Sequence, residues 1–306
     1  MKIHAVLHWT LWVAITSGLA GCATPRDSVS GHPSDPEISR LAAFARTAFD
    51  SGSPDKAVSL YREALQHSEA LDDRIFAAHL SFNLAASLFR IGDLPRARAA
   101  AREASEIAAS AGVLGVETAL LRARIALAEH QPDQAESACT EAEAGRLNSL
   151  ERTELALLRS EIASDRSDSA AADKYTAEAK KRIPRSAPSA LKARLYGQSG
   201  EGLLRAKRPV EAAAEFERQA SAFREARYAP GVSSALLRAA EAWGSAQENR
   251  ASADCSLRAA RSLWAQQRFA AAQSVTDAAL ARPSEGVTPS LLEALNRIRH
   301  QETSAP

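Results

Sequence analysis

The sequence has few aromatic residues and no excess of charge of either sign. Phenylalanine, tyrosine and tryptophan together make up 5% of its 306 residues, so platforms on which bases or sugars stack are scarce. Lysine and arginine number 38 against 37 aspartate and glutamate residues. Nucleic-acid binding requires a basic face that neutralises phosphates, so we expect no nucleic-acid partner. An alternating, β-branched run of strand length is also absent from the sequence, which favours an all-α fold.

Motifs for catalysis and for bound metals or cofactors are equally scarce. The sequence contains no phosphate-binding loop with Gly-Lys-Ser/Thr. Gln198-Ser199-Gly200 is close to a nucleophile elbow, but Glu201 stands where that pattern requires a second glycine. The histidines after residue 22 include no pair at metal-ligand spacing. We therefore expect no catalytic residue, no metal site and no cofactor.

The stretch from Leu80 to Ala108 contains two amphipathic helical patterns separated by a turn signal. Leu84, Leu88 and Ile91 recur at spacings of four and three, so they share one face of the first predicted helix. Gly92-Asp93 follows, with a glycine suited to a left-handed helix end and an aspartate suited to an N-cap. Alanine recurs every three or four residues in the second predicted helix. Small side chains at these positions allow a close approach of neighbouring helices.

The same helix-turn-helix pattern recurs from Glu37 to about Arg299. A small residue opens the second helix of six successive hairpins: Ala57, Ala97, Ala135, Ala171, Ala212 and Ser252. Successive members of this series lie roughly 40 residues apart, a period in the range of helical-repeat arrays. Four of the six are preceded, two or three positions earlier, by a proline of the kind found in the first turn of helices. A less regular seventh hairpin is predicted from Gln267 to Arg299.

These hairpins resemble tetratricopeptide repeats. The positions that match the family in the hairpin at 80–108 are Leu84-Ala85, Gly92-Asp93, Ala97 and Ala104. Leu88 and Ala101 stand where the family usually places aromatic residues. The resemblance implies an α-solenoid of six to seven antiparallel helix pairs over residues 37–300, which binds protein or peptide partners. The distance between corresponding residues of successive hairpins exceeds the roughly 34 residues usual in the family. We interpret the additional residues as longer helices.

Residues 1–21 are predicted to be a secretory leader. Lys2 supplies its positive start, and the mostly apolar run from Ala5 to Thr16 is too short to span a bilayer. The run ends at Leu19-Ala20-Gly21-Cys22, which resembles a bacterial lipobox. That resemblance implies a lipoprotein anchored to the membrane through lipid on Cys22. The alternative is an ordinary cleaved leader followed by an unrelated cysteine.

Residues 22–36 are interpreted as the lipidated cysteine and a flexible tether, because proline, serine, glycine and aspartate dominate them. Ala23 follows the cysteine. Enteric lipoproteins that stay in the inner membrane carry aspartate at that position, so the resemblance favours the outer membrane, facing the periplasm. A leader whose only charged residue is Lys2 leaves a mature chain with 37 basic and 37 acidic residues.

The resemblance also implies a partner-binding groove on the face of the first helices that points away from the small residues. Carrying that face over from hairpin to hairpin selects eight positions: Arg46, Phe49, Phe82, Asn83, Arg90, Arg124, Arg194 and Arg205. An arginine-rich groove suits an extended acidic peptide or a free C-terminal carboxylate, since guanidinium binds carboxylate in a bidentate fork. In a neutral chain it also predicts acidic charge elsewhere, on the second helices. The alternative interpretation of these arginines is an ordinary solvated face.

The leading hypothesis is a membrane-anchored scaffold for protein or peptide partners in the bacterial envelope, serving the assembly of a secretion, pilus or cell-wall machine. Two alternatives stay open: an envelope hydrolase on a helical scaffold, and a helical-repeat regulator in the cytoplasm. A further choice concerns Gly197, Gly200 and Gly202, which fall within one predicted helix. They indicate either close helix packing at Gly200 or a hinge.

The lipobox interpretation predicts that Cys22→Ser releases the protein from membranes while its helicity, measured by circular dichroism, is unchanged. The thiol that would be alkylated is lost, whereas the helical hairpins are untouched. Membrane pelleting and the mass of the N-terminal peptide measure the result. A variant that still pellets with its leader uncut would show that the leader itself is the anchor.

Overall fold

A computed structural model of the protein describes residues 35–300, and these residues form an all-α structure with no β-strand among them. This confirms the predicted fold class. The predicted leader, Cys22 and the tether up to residue 34 lie outside the described residues. The fourteen helices of the described part are α1 (Pro36–Asp50), α2 (Pro54–Ala70), α3 (Arg74–Ile91), α4 (Leu94–Ala111), α5 (Gly115–Ala128), α6 (Pro132–Glu143), α7 (Ser149–Asp165), α8 (Ser169–Arg182), α9 (Ser189–Arg205), α10 (Pro209–Glu225), α11 (Ala229–Ser245), α12 (Asn249–Ala265), α13 (Phe269–Leu280) and α14 (Pro289–His300).

Consecutive helices pack in antiparallel pairs, numbered here hairpin 1 (α1 and α2) to hairpin 7 (α13 and α14). The described residues divide into two compact units, 35–188 with hairpins 1–4 and 189–300 with hairpins 5–7. Within each unit the second helix of a hairpin also packs against the first helix of the next. Each unit is therefore a stack of helix pairs, as an α-solenoid requires.

The turn in hairpin 2 shows how the first helices end. Gly92 is left-handed, with φ of +84°, and its N–H donates to the carbonyl of Phe89 at 3.1 Å. The N–H of Asp93 donates to the carbonyl of Leu88 at 3.1 Å, which completes a Schellman motif. The Asp93 carboxylate then accepts from the N–H of Arg96 at 3.3 Å and caps α4. The predicted turn is confirmed.

The unit at 189–300 repeats this turn at a constant interval. In the four turns between α9 and α13 the residues with positive φ are not glycines and lie 20 positions apart: Lys207, Arg227, Gln247 and Gln267. Helices α9 to α12 are each 17 residues long and are followed by three turn residues. One hairpin of this unit therefore occupies two such intervals. The distance between successive hairpins is long because the helices are longer.

The small residues predicted to open the second helices lie four positions after each N-cap and are buried. Six of them have no exposed surface: Ala57, Ala97, Ala135, Ala172, Ala212 and Ser252. In hairpin 4 this position is Ala172, so the prediction of Ala171 was wrong by one residue. The reason is the cap, because the Asp168 carbonyl accepts from the N–H of Ala172 at 3.0 Å.

Gly200 of α9 serves close helix packing. A Cβ on Gly200 would lie 2.7 Å from Cε1 of Phe216, a side chain of α10 that is 1% exposed. A Cβ on Gly197 would lie 2.6 Å from Nε2 of Gln219, the end of a flexible side chain. Helix α9 runs unbroken from Ser189 to Arg205. These contacts support the packing interpretation over the hinge.

The two cysteines of the described residues are unpaired and buried, and they belong to different units. Cys139 lies in α6 and Cys255 in α12. Burial raises the pKa of each thiol to about 12. Both act as small apolar residues in helix contacts. None of the helices between residues 35 and 300 has the length and apolarity needed to cross a membrane.

We predict that Gly200→Ala lowers the free energy of unfolding by about 1–3 kcal/mol, since an added methyl group overpacks the contact with Phe216. Gly197→Ala is the matched control in the same helix. Its methyl group meets a side chain that can move, and alanine has the higher helix propensity by up to about 1 kcal/mol. Urea unfolding followed by circular dichroism measures both. Equal stabilisation by the two substitutions would contradict close packing at Gly200.

Candidate peptide-binding site

Helix α3 has two different faces along its length. Phe82 and Phe89 are 3% and 2% exposed and pack in the core of hairpins 1 and 2. His79, Asn83 and Arg90 are half-buried and, at spacings of four and seven residues, follow one stripe along the helix. Within the described residues the Asn83 amide makes no hydrogen bond. The stripe therefore presents an imidazole, an amide and a guanidinium in line.

Arg90 joins this stripe to hairpin 1. Its Cζ atom lies 4.4 Å from the centroid of the Phe49 ring, a cation–π distance. Arg46 lies one turn before Phe49 on α1, and its Nε is 3.8 Å from the Asp50 carboxylate. The side chain of Arg46 is 44% exposed. Phe49 itself is 8% exposed and packs in the core of hairpins 1 and 2, so its predicted exposure in a groove was wrong. We call the surface formed by Arg46, His79, Asn83 and Arg90, with the buried Phe49 ring beneath Arg90, the α1–α3 face.

His79 belongs to the α1–α3 face although the sequence patterns did not select it. Burial lowers its pKa, and the nearby Glu117 carboxylate opposes that shift. The imidazole is consequently neutral at pH 7 and offers one donor and one acceptor. The signal that could have found it is its spacing, four residues before Asn83 and eleven before Arg90.

Phe82 and Arg124 lie in the interior, in contrast to the surface exposure expected for groove residues. Arg124 is 6% exposed and forms an ion pair with Glu154 of α7, whose side chain is 4% exposed. This pair fixes α5 against α7 within the unit at 35–188. Neither Phe82 nor Arg124 can contact a partner in this conformation. The physical reason is that α3 and α5 are covered on more than one side by neighbouring helices.

Arg194 and Arg205 belong to α9, in the other unit, and are half-buried and exposed respectively. On the neighbouring first helix of that unit, Arg238 forms ion pairs with Glu201 and Glu241. Its Cζ also lies 5.3 Å from the centroid of the Phe216 ring. Some acidic residues thus share the first helices with the arginines. Within the described helices the second helices still carry more aspartate and glutamate than the first, 17 against 10, in the direction expected.

Comparison with known proteins assigns one part of the chain to a family. Residues 37–110, which contain the whole of α2 and α3 and all but one residue of α1 and of α4, match the tetratricopeptide repeat family. The match covers the α1–α3 face. A solved structure titled "TPR2AB-domain:pHSP90-complex of yeast Sti1" is 16% identical, covers 86% of this chain and 96% of its own, and has a TM-score of 0.33. No curated protein matches the chain.

The described residues show no ready place for a metal ion. Between residues 35 and 300, no group of three histidine, cysteine, aspartate or glutamate side chains has the arrangement to hold one. The polar groups of the α1–α3 face are instead suited to hydrogen bonds and ion pairs with a ligand.

We predict that Arg124→Ala lowers the free energy of unfolding by about 3–5 kcal/mol, because it removes a buried ionic partner of the Glu154 carboxylate. The double variant Arg124→Met/Glu154→Leu should recover most of that loss, since apolar residues of similar volume often replace a buried ion pair at little cost. Urea unfolding measures both, with the exposed Arg62→Ala as a control for arginine removal. Wild-type stability of Arg124→Ala would place Arg124 at the surface.

Proposed function

We propose that the chain is a non-catalytic scaffold whose α1–α3 face binds an extended acidic peptide of a partner protein. Tetratricopeptide repeats are helical scaffolds for protein–protein interaction, and the proposed face lies within residues 37–110 that match the family. The observation that carries the proposal is the alignment of His79, Asn83 and Arg90 on α3, with Arg90 stacked on Phe49.

The stacked Arg90 supplies an oriented guanidinium. Its position over the Phe49 ring restricts the rotamers of a long side chain, so less conformational entropy is lost when a carboxylate binds. Charge-assisted hydrogen bonds of this kind are about twice as strong as those between neutral groups. The face therefore favours a carboxylate over a neutral ligand group.

Arg46 is available to a ligand despite its own acidic neighbour. The contact with Asp50 is long, at 3.8 Å, and both side chains are about half exposed. Exposed pairs of this type contribute about 0–1 kcal/mol, so Arg46 can exchange Asp50 for a ligand carboxylate at little cost. Asn83 and the neutral His79 can bond to the peptide backbone between the carboxylates. An extended acidic peptide satisfies all four groups.

We also propose that the scaffold is anchored in the bacterial envelope through lipid on Cys22, at the outer membrane facing the periplasm. The lipobox resemblance of residues 19–22 and the alanine at position 23 support this placement. The anchored scaffold would gather the parts of a secretion, pilus or cell-wall machine. A hydrolase on a helical scaffold and a cytoplasmic regulator are the competing proposals, and neither explains the lipobox together with the α1–α3 face.

The test is crosslinking in the native envelope followed by mass spectrometry, and then binding measurements with the captured partner's acidic segments. We expect Arg46→Glu and Arg90→Gln each to weaken binding about tenfold or more, the effect of losing one charge-assisted hydrogen bond of about 1.5–3 kcal/mol. Asn83→Ala removes the amide without a change of charge and should have a smaller effect.

The matched control is Arg62→Glu on α2, because Arg62 is exposed and makes no hydrogen bond or ion pair with the rest of the described chain. Its binding should equal that of the wild type. Thermal unfolding of each variant separates a loss of binding from a loss of structure. If Arg62→Glu weakened binding as much as Arg46→Glu did, the effect would be general electrostatics and the α1–α3 face would have no special role.

A further inference from the structure

A second recess lies among the second helices of hairpins 2 and 3. It is a trough of about 380 Å³ with α4 on one side, α6 on the other and α5 beneath. Arg98, Ala99 and Arg102 form its α4 side, and Gln134 lies on its α6 side. None of these residues belongs to the α1–α3 face. We call this recess the α4–α6 trough.

The lining of the α4–α6 trough carries an excess of positive charge. Arg98, Arg102 and Arg122 line it with a single acidic residue, Glu129. Arg98 donates to Glu129 at 3.4 Å, and Arg122 donates to Glu141, outside the trough, at 2.8 Å. Both pairs are at least partly exposed and are therefore weak. The described chain as a whole is nearly balanced, so this local excess is a property of the trough.

Arg102 is the uncommitted cation of the trough. Within residues 35–300 it makes no hydrogen bond or ion pair, although it is exposed and lies one turn from Arg98. Its guanidinium has five N–H donors, and the other lining residues of α4 are Pro95, Arg98 and two alanines. A carboxylate that enters the trough can therefore bind Arg102 without displacing a partner.

The floor of the trough is apolar and closed. Ala101, Ile125 and Ala138 contribute to it and are 1%, 1% and 2% exposed. The exposed Ala99 forms part of the wall of the trough. Its small side chain leaves the space above the apolar floor unfilled. An apolar floor beside guanidinium groups lowers the local dielectric, which strengthens a charge-assisted hydrogen bond made there.

The length of the trough selects a short segment of extended chain. Its α4 side runs from Pro95 to Arg102, seven residues or about 10 Å along a helix that rises 1.5 Å per residue. An extended peptide covers that distance with about three residues at 3.3 Å each. The side chain between two acidic ones would face the floor and would have to be small and apolar.

We propose that the α4–α6 trough is a second docking site, which takes a three-residue acidic segment of a protein partner of the form acidic, small apolar, acidic. One carboxylate binds Arg102, and the other reaches Arg98 or Arg122 in exchange for Glu129 or Glu141. The small side chain rests on Ile125. This site is separate from the α1–α3 face and does not depend on the function proposed for that face.

The probe is the peptide Ac-Glu-Ala-Glu-NH₂, titrated into the full chain purified in detergent, with Ac-Gln-Ala-Gln-NH₂ as the uncharged counterpart. Binding is followed by NMR of isotope-labelled alanine methyl groups, because Ala99 and Ala101 report on the trough directly. We expect shifts at these methyls with the acidic peptide, and at least about tenfold weaker binding of the amide peptide. No shift at Ala99 or Ala101 with the acidic peptide would overturn the proposal.

Two variants test the α4–α6 trough, one by removing a charge and the other by filling its space. Arg102→Ala deletes the uncommitted cation and should weaken binding about tenfold. Ala99→Phe fills the space while all charges remain, and should abolish the shift at Ala101. Both positions are exposed, so we expect the fold to be retained, and circular dichroism of each variant checks this.

Arg62→Ala controls for charge, and Arg90→Ala controls for binding at the α1–α3 face. Both should leave the response at the trough methyls unchanged. A response that disappears in Arg90→Ala and persists in Arg102→Ala would assign the peptide to the α1–α3 face and overturn the trough proposal. Loss of the response in Arg62→Ala would show unspecific charge attraction and would overturn it as well.

Discussion

The structure depends on the close approach of paired helices at positions where only a small side chain fits. The residue four positions into each second helix has no exposed surface in hairpins 1–6, and it is alanine in five of them and serine in the sixth. Dispersion contacts fall off within a fraction of an ångström, so a pair of backbones this close gains contact energy along the whole interface. The same closeness permits turns of two or three residues, and such turns require a left-handed residue such as Gly92.

The close approach of paired helices also determines where the long, charged side chains lie. Because small residues face the partner helix, long side chains are left to the remaining faces, where they either reach solvent or fill the next interface. Arg90 reaches the surface and stacks on Phe49, whereas Arg124 meets Glu154 between α5 and α7. Two first-helix arginines thus have different roles, one at the surface and one in the interior. Arg90 lies in the last turn of α3, whereas Arg124 lies four residues before the end of α5 and pairs with a residue of α7.

The sequence patterns were sufficient for the fold and for the turns, because these depend on local chemistry. Gly92 adopts its left-handed conformation because it has no Cβ, and Asp93 caps α4 through its own carboxylate. Register in hairpin 4 could not be read from the sequence, since three consecutive alanines from position 170 are equally small and only the cap at Asp168 distinguishes them. The burial of Arg124 depends on Glu154, which lies in the next hairpin, and no local pattern contains that information. His79 was missed because a single histidine carries no motif.

The constant interval in the unit at 189–300 makes that part of the chain modular. Helices begin at 189, 209, 229, 249 and 269, so any window of two intervals contains one complete hairpin with its caps and its turns. Excision or duplication of such a window returns the chain in the same direction. Excision or duplication of a single helix with its turn would instead reverse the direction of every later helix. Genetic gain and loss in this unit should therefore occur in whole hairpins, as in other arrays whose energetics depend mainly on nearest neighbours.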